Sequence, residues 1–359
     1  IPVLRDQVSY YPVSVRRLEE RFTRLTDISH CIMFSNATSA TEAALFALGI
    51  DRSCVVGTPA FVIPSSYCSA AALGARIEFI DVSRESLNLD VELLQDGNPL
   101  GLDALIVTHF YGNPCDMPKI MHWANEYDVK VIEDCSHAHG ARVGGRSVGA
   151  WGHVGVFSLQ GAKAVSAGEG GIATTNDSIL AWKMAAYGHQ QSFRKFSFGV
   201  DQILTELPEF GFGRKMRAHP LGAVLALVDL NYLDKKNRIF ARWVEELNST
   251  ALVSGDFYVP RVINDALQGG YCQGVPLVFN RVEMAKHFVE VASSQGIGTF
   301  MRSYSETIEY FTLESSQAEE TTSRLQNTYE LFDAAVFVPF LQFVDFRRWQ
   351  KLLKILRTL

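Results

Sequence analysis

The chain alternates short apolar runs with stretches whose apolar residues recur at helical spacing. That is the pattern of an α/β protein whose parallel strands are covered on both faces. Residues 104–108 (ALIVT) read as a buried strand. Residues 116–127 then carry Ile120, Met121, Ala124 and Tyr127 at helical spacing, and residues 130–133 (KVIE) return to a strand. Together they predict a strand–helix–strand unit, parallel and right-handed. Further strands are expected at 54–57, 77–81, 154–158 and 171–175. The segment 218–240 is apolar at helical spacing and opens near Pro220, which predicts one long helix linking two parts. Beyond about residue 245 strands and helices mix, and a closing basic helix is expected near 345–358. The expected organisation is a large domain over residues 1–240 and a smaller α+β domain over 241–359.

Composition changes this picture little. The 359 residues are 47% hydrophobic and 20% charged, an ordinary globular balance, and a net charge of −6 gives no electrostatic reason to expect nucleic acid. No apolar run reaches the ~18 residues of a membrane span. The opening IPVLRDQ lacks the basic and apolar halves of a signal peptide, and a start at Ile1 rather than Met suggests a short missing piece. The six cysteines form no C-x-x-C pair, so reduced thiols in a cytoplasmic setting are expected. The nine histidines show no H-E-x-x-H spacing, and no metal is expected.

Three places carry chemistry. Ser35-Asn36-Ala37-Thr38-Ser39-Ala40 runs into the helical pattern EAALFAL. Small polar residues there serve as an ordinary N-cap, or they aim free N–H groups and a positive dipole end at an anion. Asp134 follows KVIE, at the carboxyl end of an expected parallel strand, where open α/β sheets bind ligands. It reads either as a turn aspartate bonding its own backbone or as a carboxylate facing a cationic ring nitrogen. Lys163 sits in Phe157-Ser158-Leu159-Gln160-Gly161-Ala162-Lys163-Ala164-Val165, before Gly168-Glu169-Gly170-Gly171. It is either an exposed loop lysine or, among small and apolar neighbours, a partly desolvated and nucleophilic amine. Taken together the three meet the phosphate, the pyridine nitrogen and the aldehyde of pyridoxal 5′-phosphate (PLP).

THFYGNP, VIEDCSHAHGA and FSLQGAK…GEGGIATTND, between residues 104 and 177, make the order and wording recognisable. The chain resembles the DegT/DnrJ/EryC1/StrS family of PLP-dependent sugar and aminocyclitol aminotransferases, from about residue 20 to the end. The resemblance implies a fold-type I architecture, with a large, mostly parallel mixed sheet between helices and a smaller C-terminal domain. It implies Lys163 as the lysine of the internal aldimine and the proton carrier, and Asp134 as the pyridinium partner. His137 stands near the cofactor's ring oxygen, where the family often has glutamine. Ser158 and the pair Ala37-Thr38 match phosphate-binding positions. Ala37 replaces a family glycine, which suggests that no positive φ is needed there. Lys215 takes the asparagine position of a segment that reaches the neighbouring subunit's phosphate, so a homodimer is implied. Ile63 falls at the ring-stacking position. Either Phe61 takes that role through a local shift or the cofactor packs on aliphatic carbon. Arg302 and Tyr304 match a substrate-touching segment and read as donor or sugar contacts or as structural residues. His109 precedes Phe110-Tyr111-Gly112 and reads as substrate contact or as satisfied core, and Arg217 as substrate contact or basic rim. His139 and His189 are read with the same caution as His109.

The implied reaction moves an amino group from glutamine or glutamate to a keto-sugar or keto-cyclitol. A dehydratase-like outcome is the alternative within PLP chemistry, but such relatives carry histidine where this chain has Lys163. A non-catalytic protein retaining the fold is the other alternative, kept open by Ala37, Ile63 and Lys215. The stretches 192–206 and 305–323 are expected to form acceptor-facing loops.

Overall fold

A computed structural model describes residues 11–94, 97–188, 214–271, 274–312, 323–340 and 346–359. His189, Cys272, the stretch 192–206 and residues 313–322 lie outside them. The large part contains α1 (Val13–Thr26), β1 (His30–Phe34), α2 (Ala37–Ala47), β2 (Val55–Pro59), α3 (Cys68–Ala72) and β3 (Arg76–Ile80). It continues with β4 (Ala104–Thr108), α4 (Met117–Glu126), β5 (Lys130–Asp134), β6 (Arg142–Val143), β7 (Arg146–Ser147), β8 (Val154–Ser158), β9 (Gly171–Thr175) and α5 (Ser178–Tyr187). Then come α6 (Pro220–Leu230), α7 (Leu233–Ser254), β10 (Phe257–Tyr258), β11 (Ala266–Leu267), β12 (Val275–Phe279), α8 (Val282–Ser294), α9 (Ser305–Thr312), α10 (Gln326–Ala334), β13 (Ala335–Val338) and α11 (Phe346–Arg357).

Seven strands form one sheet in the order β1-β9-β8-β5-β4-β2-β3. The pairs β2–β3, β2–β4, β4–β5 and β5–β8 are parallel, and β9 runs antiparallel to both β8 and β1. The expected β4–α4–β5 unit is present, with Thr108 beside Asp134. All five residues of β4 and of β8 are buried, as continuous apolar runs between two helical layers require. Asp116 caps α4 by accepting from Lys119 N at 3.4 Å. The alanines of α2 (Ala40, Ala43, Ala44 and Ala47) are fully buried and bring that helix close to the sheet and to α5.

The expected single helix over 218–240 is two helices. The chain breaks at Asn231-Tyr232, where Asn231 N bonds Val228 O at 3.1 Å and Tyr232 N bonds Asp229 O at 2.9 Å, the tightened turn of a helix end. Buried Leu233 then turns α7 onto a new face. Apolar spacing does not register the break, because both helices keep apolar residues at periodic positions. α7 runs on to Ser254, so residue 240 lies inside a continuous helix.

Among the described residues a second, antiparallel sheet, β10-β12-β13, has its own core with Phe257, Leu277, Phe288, Trp349 and Leu352. Asp81 ties the two parts together, accepting from Asn327 N at 2.9 Å, Thr328 N at 2.8 Å and Thr328 Oγ1 at 2.7 Å. No helix among the described residues is long and apolar enough to cross a membrane. Cys31, Cys54, Cys68, Cys115 and Cys135 are free thiols.

Candidate active site

Strand direction collects the chemistry at one edge of the large sheet. β4, β5 and β8 end there at Thr108, Asp134 and Ser158. β9 starts there at Gly171, paired with both Ser158 and Phe34, so the exit of β1 into α2 lies at the same edge. A cavity of about 310 Å³ opens at that point. It is lined by Lys163, Asp134, His137, Ser158, Ala37, Thr38, Ile63 and Arg302, eight of the residues expected from sequence.

Asp134 is buried and held at both oxygens. Ser66 Oγ donates to Oδ2 at 2.5 Å, and Ser136 N donates to Oδ1 at 3.0 Å. The cavity therefore meets a carboxylate whose orientation is fixed before any ligand arrives. Lys163 is half-buried, and its Nζ makes no hydrogen bond or ion pair with any described residue. Its backbone N donates to Gln160 O at 2.9 Å, closing the turn that presents it.

Asn36 caps α2, accepting from Ser39 N at 2.8 Å, and leaves the other first-turn N–H groups without intrahelical acceptors. Gly171 makes this approach possible, since a Cβ there would lie 2.3 Å from Asn36 C and 2.4 Å from Ala37 N. Ala37 is the first residue of the helix and is not among the positive-φ residues, so alanine suits the place.

His137 accepts from Tyr111 N at its Nδ1, 3.4 Å away, which leaves Nε2–H as its free donor. Burial, then the positive charges of Lys163 and Arg302, push its pKa well below the usual histidine range, so the ring is neutral. Ile63, not Phe61, lines the cavity. Phe61 is buried behind it, its ring 5.3 Å from Phe110 and 5.4 Å from Phe332. Tyr304 lies beside the cavity and accepts from Arg302 Nη1 at 2.9 Å.

Three further expected residues lie outside the cavity lining. His109 is fully buried, outside the cavity lining, with Nε2 3.1 Å from Glu133 Oε2 and Nδ1 accepting from Cys115 N at 3.1 Å. It is satisfied core rather than substrate contact. Lys215 and Arg217 are exposed on the segment that pairs with the end of β1, and neither lines the cavity. The sequence reading missed Ser66, Ser136, Gln160, Glu169 and Phe110, which do line it. Ser66 had a signal, since Pro64-Ser65-Ser66 follows the exit of β2 at the same sheet edge.

The donor set fits PLP. A fixed carboxylate, an unpartnered amine, and a glycine-permitted helix start flanked by Thr38 and Ser158 share one space. Thr108, whose buried hydroxyl has no partner among the described residues, lines that space too. Comparisons with known proteins agree. Protein MosB of Rhizobium meliloti is 35% identical over 234 residues, 62% of this chain and 45% of that one. L-glutamine:2-deoxy-scyllo-inosose aminotransferase of Streptomyces kanamyceticus is 33% identical over 169 residues, 47% of this chain and 40% of that one. The matched stretches thus span less than half the length of these curated relatives. The X-ray structure of the aminotransferase from Psychrobacter cryohalolentis superposes with a TM-score of 0.85 at 26% identity, covering 99% of this chain and 93% of that chain. The family profile itself matches residues 4–355, and the chain belongs to the DegT/DnrJ/EryC1/StrS aminotransferase family.

Proposed function

We propose that the protein is a PLP-dependent aminotransferase that moves an amino group from glutamine or glutamate to a keto-sugar or keto-cyclitol. The observation that carries this reading is the free Lys163 amine sharing one cavity with the fixed Asp134 carboxylate. Pyridoxal phosphate is the cofactor that family membership indicates. When bound, it supplies an electron-poor aldehyde and ring that stabilise negative charge on the substrate carbon. Lys163 Nζ would hold the aldehyde before the donor arrives and, once displaced by the donor's amine, would move a proton to and from that carbon in both halves of a ping-pong cycle. Asp134, oriented by Ser66 and Ser136, would hold the ring nitrogen. Thr38, Ser158 and the start of α2 take the phosphate. His137 offers Nε2–H toward the ring oxygen. Ile63 would cover the ring with aliphatic carbon, giving up an aromatic-pair contribution of about 0.5–1.5 kcal/mol.

Residues 1–240 hold the cofactor, while 241–359 supply Arg302 and Tyr304 to the same place. A homodimer completes the assembly. Leu221, Leu225, Val228 and Tyr232 follow one another at helical spacing and are 43–56% exposed, an apolar stripe on α6 and its end that a second copy would cover. Lys215, exposed just before that stripe, would then reach the partner's phosphate. Leu225→Asp should turn a dimer into a monomer by sedimentation, and an unchanged dimer would place the interface elsewhere.

Absorbance separates this reading from its rivals. The purified protein should be yellow with PLP and bleached by borohydride, and Lys163→Ala should lose that behaviour. A protein that stays colourless with added PLP would favour the non-catalytic alternative. Amination of a panel of ketones with glutamine as donor, read by mass spectrometry, tests the acceptor class. Loss of the acceptor hydroxyl without gain of nitrogen would favour the dehydratase.

A further inference from the structure

Thr108 is the last residue of β4, and it is 5% exposed. It lines the cavity, and its Oγ1 has no hydrogen-bond partner among the described residues. Neighbouring hydroxyls of the lining are already engaged. Ser66 Oγ donates to Asp134, and Thr41 Oγ1 donates to the Ala37 carbonyl at 3.1 Å. A buried hydroxyl left unmatched is unfavourable until something that enters the cavity completes it. Threonine is stiff at χ1, so on a buried strand the direction of that hydroxyl is set in advance.

Strand order indicates what it meets. Thr108 and Asp134 are register partners on adjacent parallel strands, so their side chains leave the same face of the sheet. β5 lies between β4 and β8. Ser158 ends β8, and α2 starts after β1, which lies beyond β8 in the sheet. Both phosphate-binding elements therefore stand on the β8 side of Asp134, and Thr108 stands on the opposite side. His137 is tied to the Thr108 side as well, because its Nδ1 accepts from Tyr111 N in the turn that follows β4. A PLP ring with its nitrogen at Asp134 and its phosphate arm toward β8 turns its other edge to β4. That edge carries the ring oxygen and a methyl group, and of the two only the oxygen takes a hydrogen bond.

We propose that the Thr108 hydroxyl binds the ring oxygen of PLP, as a second donor beside His137 Nε2–H. This rests on the PLP reading given above. Two donors on one ring atom, with Ser66 and Ser136 fixing the carboxylate at the next, hold the ring in its plane. A net hydrogen bond and an aromatic-pair contribution are of similar size, so Thr108 offsets what Ile63 gives up.

The test sets two proteins against two ligands. Cofactor-free wild type and Thr108→Val are each titrated, by equilibrium dialysis, with PLP and with an analogue whose ring oxygen is replaced by hydrogen. Thr108→Val should bind PLP about three- to tenfold more weakly and should bind the analogue as the wild type does. Thr108→Ser keeps the hydroxyl and should recover most of the loss. Cofactor-free Thr108→Val should melt no lower than the wild type, because no protein group loses a partner, while its gain in melting temperature on adding PLP should shrink. Equal affinities of the two proteins for PLP, an equal loss with both ligands, or a cofactor-free Thr108→Val that melts below the wild type overturns the assignment and leaves the PLP reading intact. A wild type that takes up no PLP overturns both.

Discussion

Lys236 Nζ lies 2.9 Å from Asp229 Oδ1 and also donates to the Ala164 carbonyl at 2.9 Å. The other oxygen of Asp229 accepts from Ser166 N at 3.0 Å. One ion pair across the α6–α7 joint therefore pins the backbone on the carboxyl side of Lys163. Gly222 of α6 strengthens the contact, since a Cβ there would lie 2.9 Å from Ala167 O. The loop that presents Lys163 is thus fastened to the helix that carries the apolar stripe.

Lys236→Met removes its bond to the Ala164 carbonyl of the loop and its ion pair with Asp229 of α6. The pair is about one-third exposed, so the expected loss of stability is only about 1 kcal/mol. The larger effect is local. Amide exchange at Ser166 and Ala167 should accelerate well beyond the change in global stability, and PLP should be released faster. Exchange rates that merely track global unfolding would show that the joint does not hold the loop.

Ser66 fixes one oxygen of Asp134 and is the contact most directly open to substitution. Ser66→Ala leaves the carboxylate in place with Ser136 N alone. The expected effect is a five- to tenfold weaker hold on PLP, about 1 kcal/mol, with the protein still yellow. Asp134→Asn removes the charge itself and should lower turnover by roughly 10²-fold or more. Equal effects of the two substitutions on turnover would mean that Ser66 does more than orient.

Much of this was legible in the sequence, for a physical reason. Parallel strands are apolar runs of fixed length, so their carboxyl ends, and hence Asp134 and Ser158, are readable from local pattern. Lys163 was marked by its small neighbours and by motif order. Phe110 was not legible as a cavity residue, because its turn after β4 depends on distant packing, and Ser66 was signalled only by its place after the exit of β2. The break at Asn231-Tyr232 was hidden for the opposite reason, as periodic apolarity continues through it. His109 was ambiguous until its two nitrogens could be counted.

Glu133 is fully buried and accepts from His109 Nε2, Gly149 N, Trp151 N and Gly152 N, at 2.7–3.1 Å. It ties β5, whose last residue is Asp134, to the turn before β8. Glu133→Gln sets an amide donor against backbone donors and strands at least one of them. The expected loss is at least about 3 kcal/mol of stability. His109→Ala should lower the melting temperature without altering the ratio of glutamine to glutamate use. A shift in that ratio would return His109 to the substrate site.

Acid sensitivity follows from His139. Its ring is buried between Phe22 and Phe157, with centroids 6.4 Å and 5.5 Å away. Burial, then the charges of Lys163 and Lys236, push its pKa down to about 3, against a weaker opposing pull from the Ser158 backbone. The unfolded chain keeps an ordinary histidine near 6.5. Between those values the unfolded state binds a proton that the folded state refuses, so stability falls as pH drops from 6.5 toward 3. Each pH unit in that window contributes up to roughly 1.4 kcal/mol. His137, lowered in the same direction, adds to the slope. His139→Leu removes one titrating group and keeps an apolar side chain between the two rings. Its melting temperature should decline less steeply than the wild type's between pH 6.5 and 4, with the curves parallel above pH 7. Parallel curves throughout would mean that His139 is protonated in the folded protein.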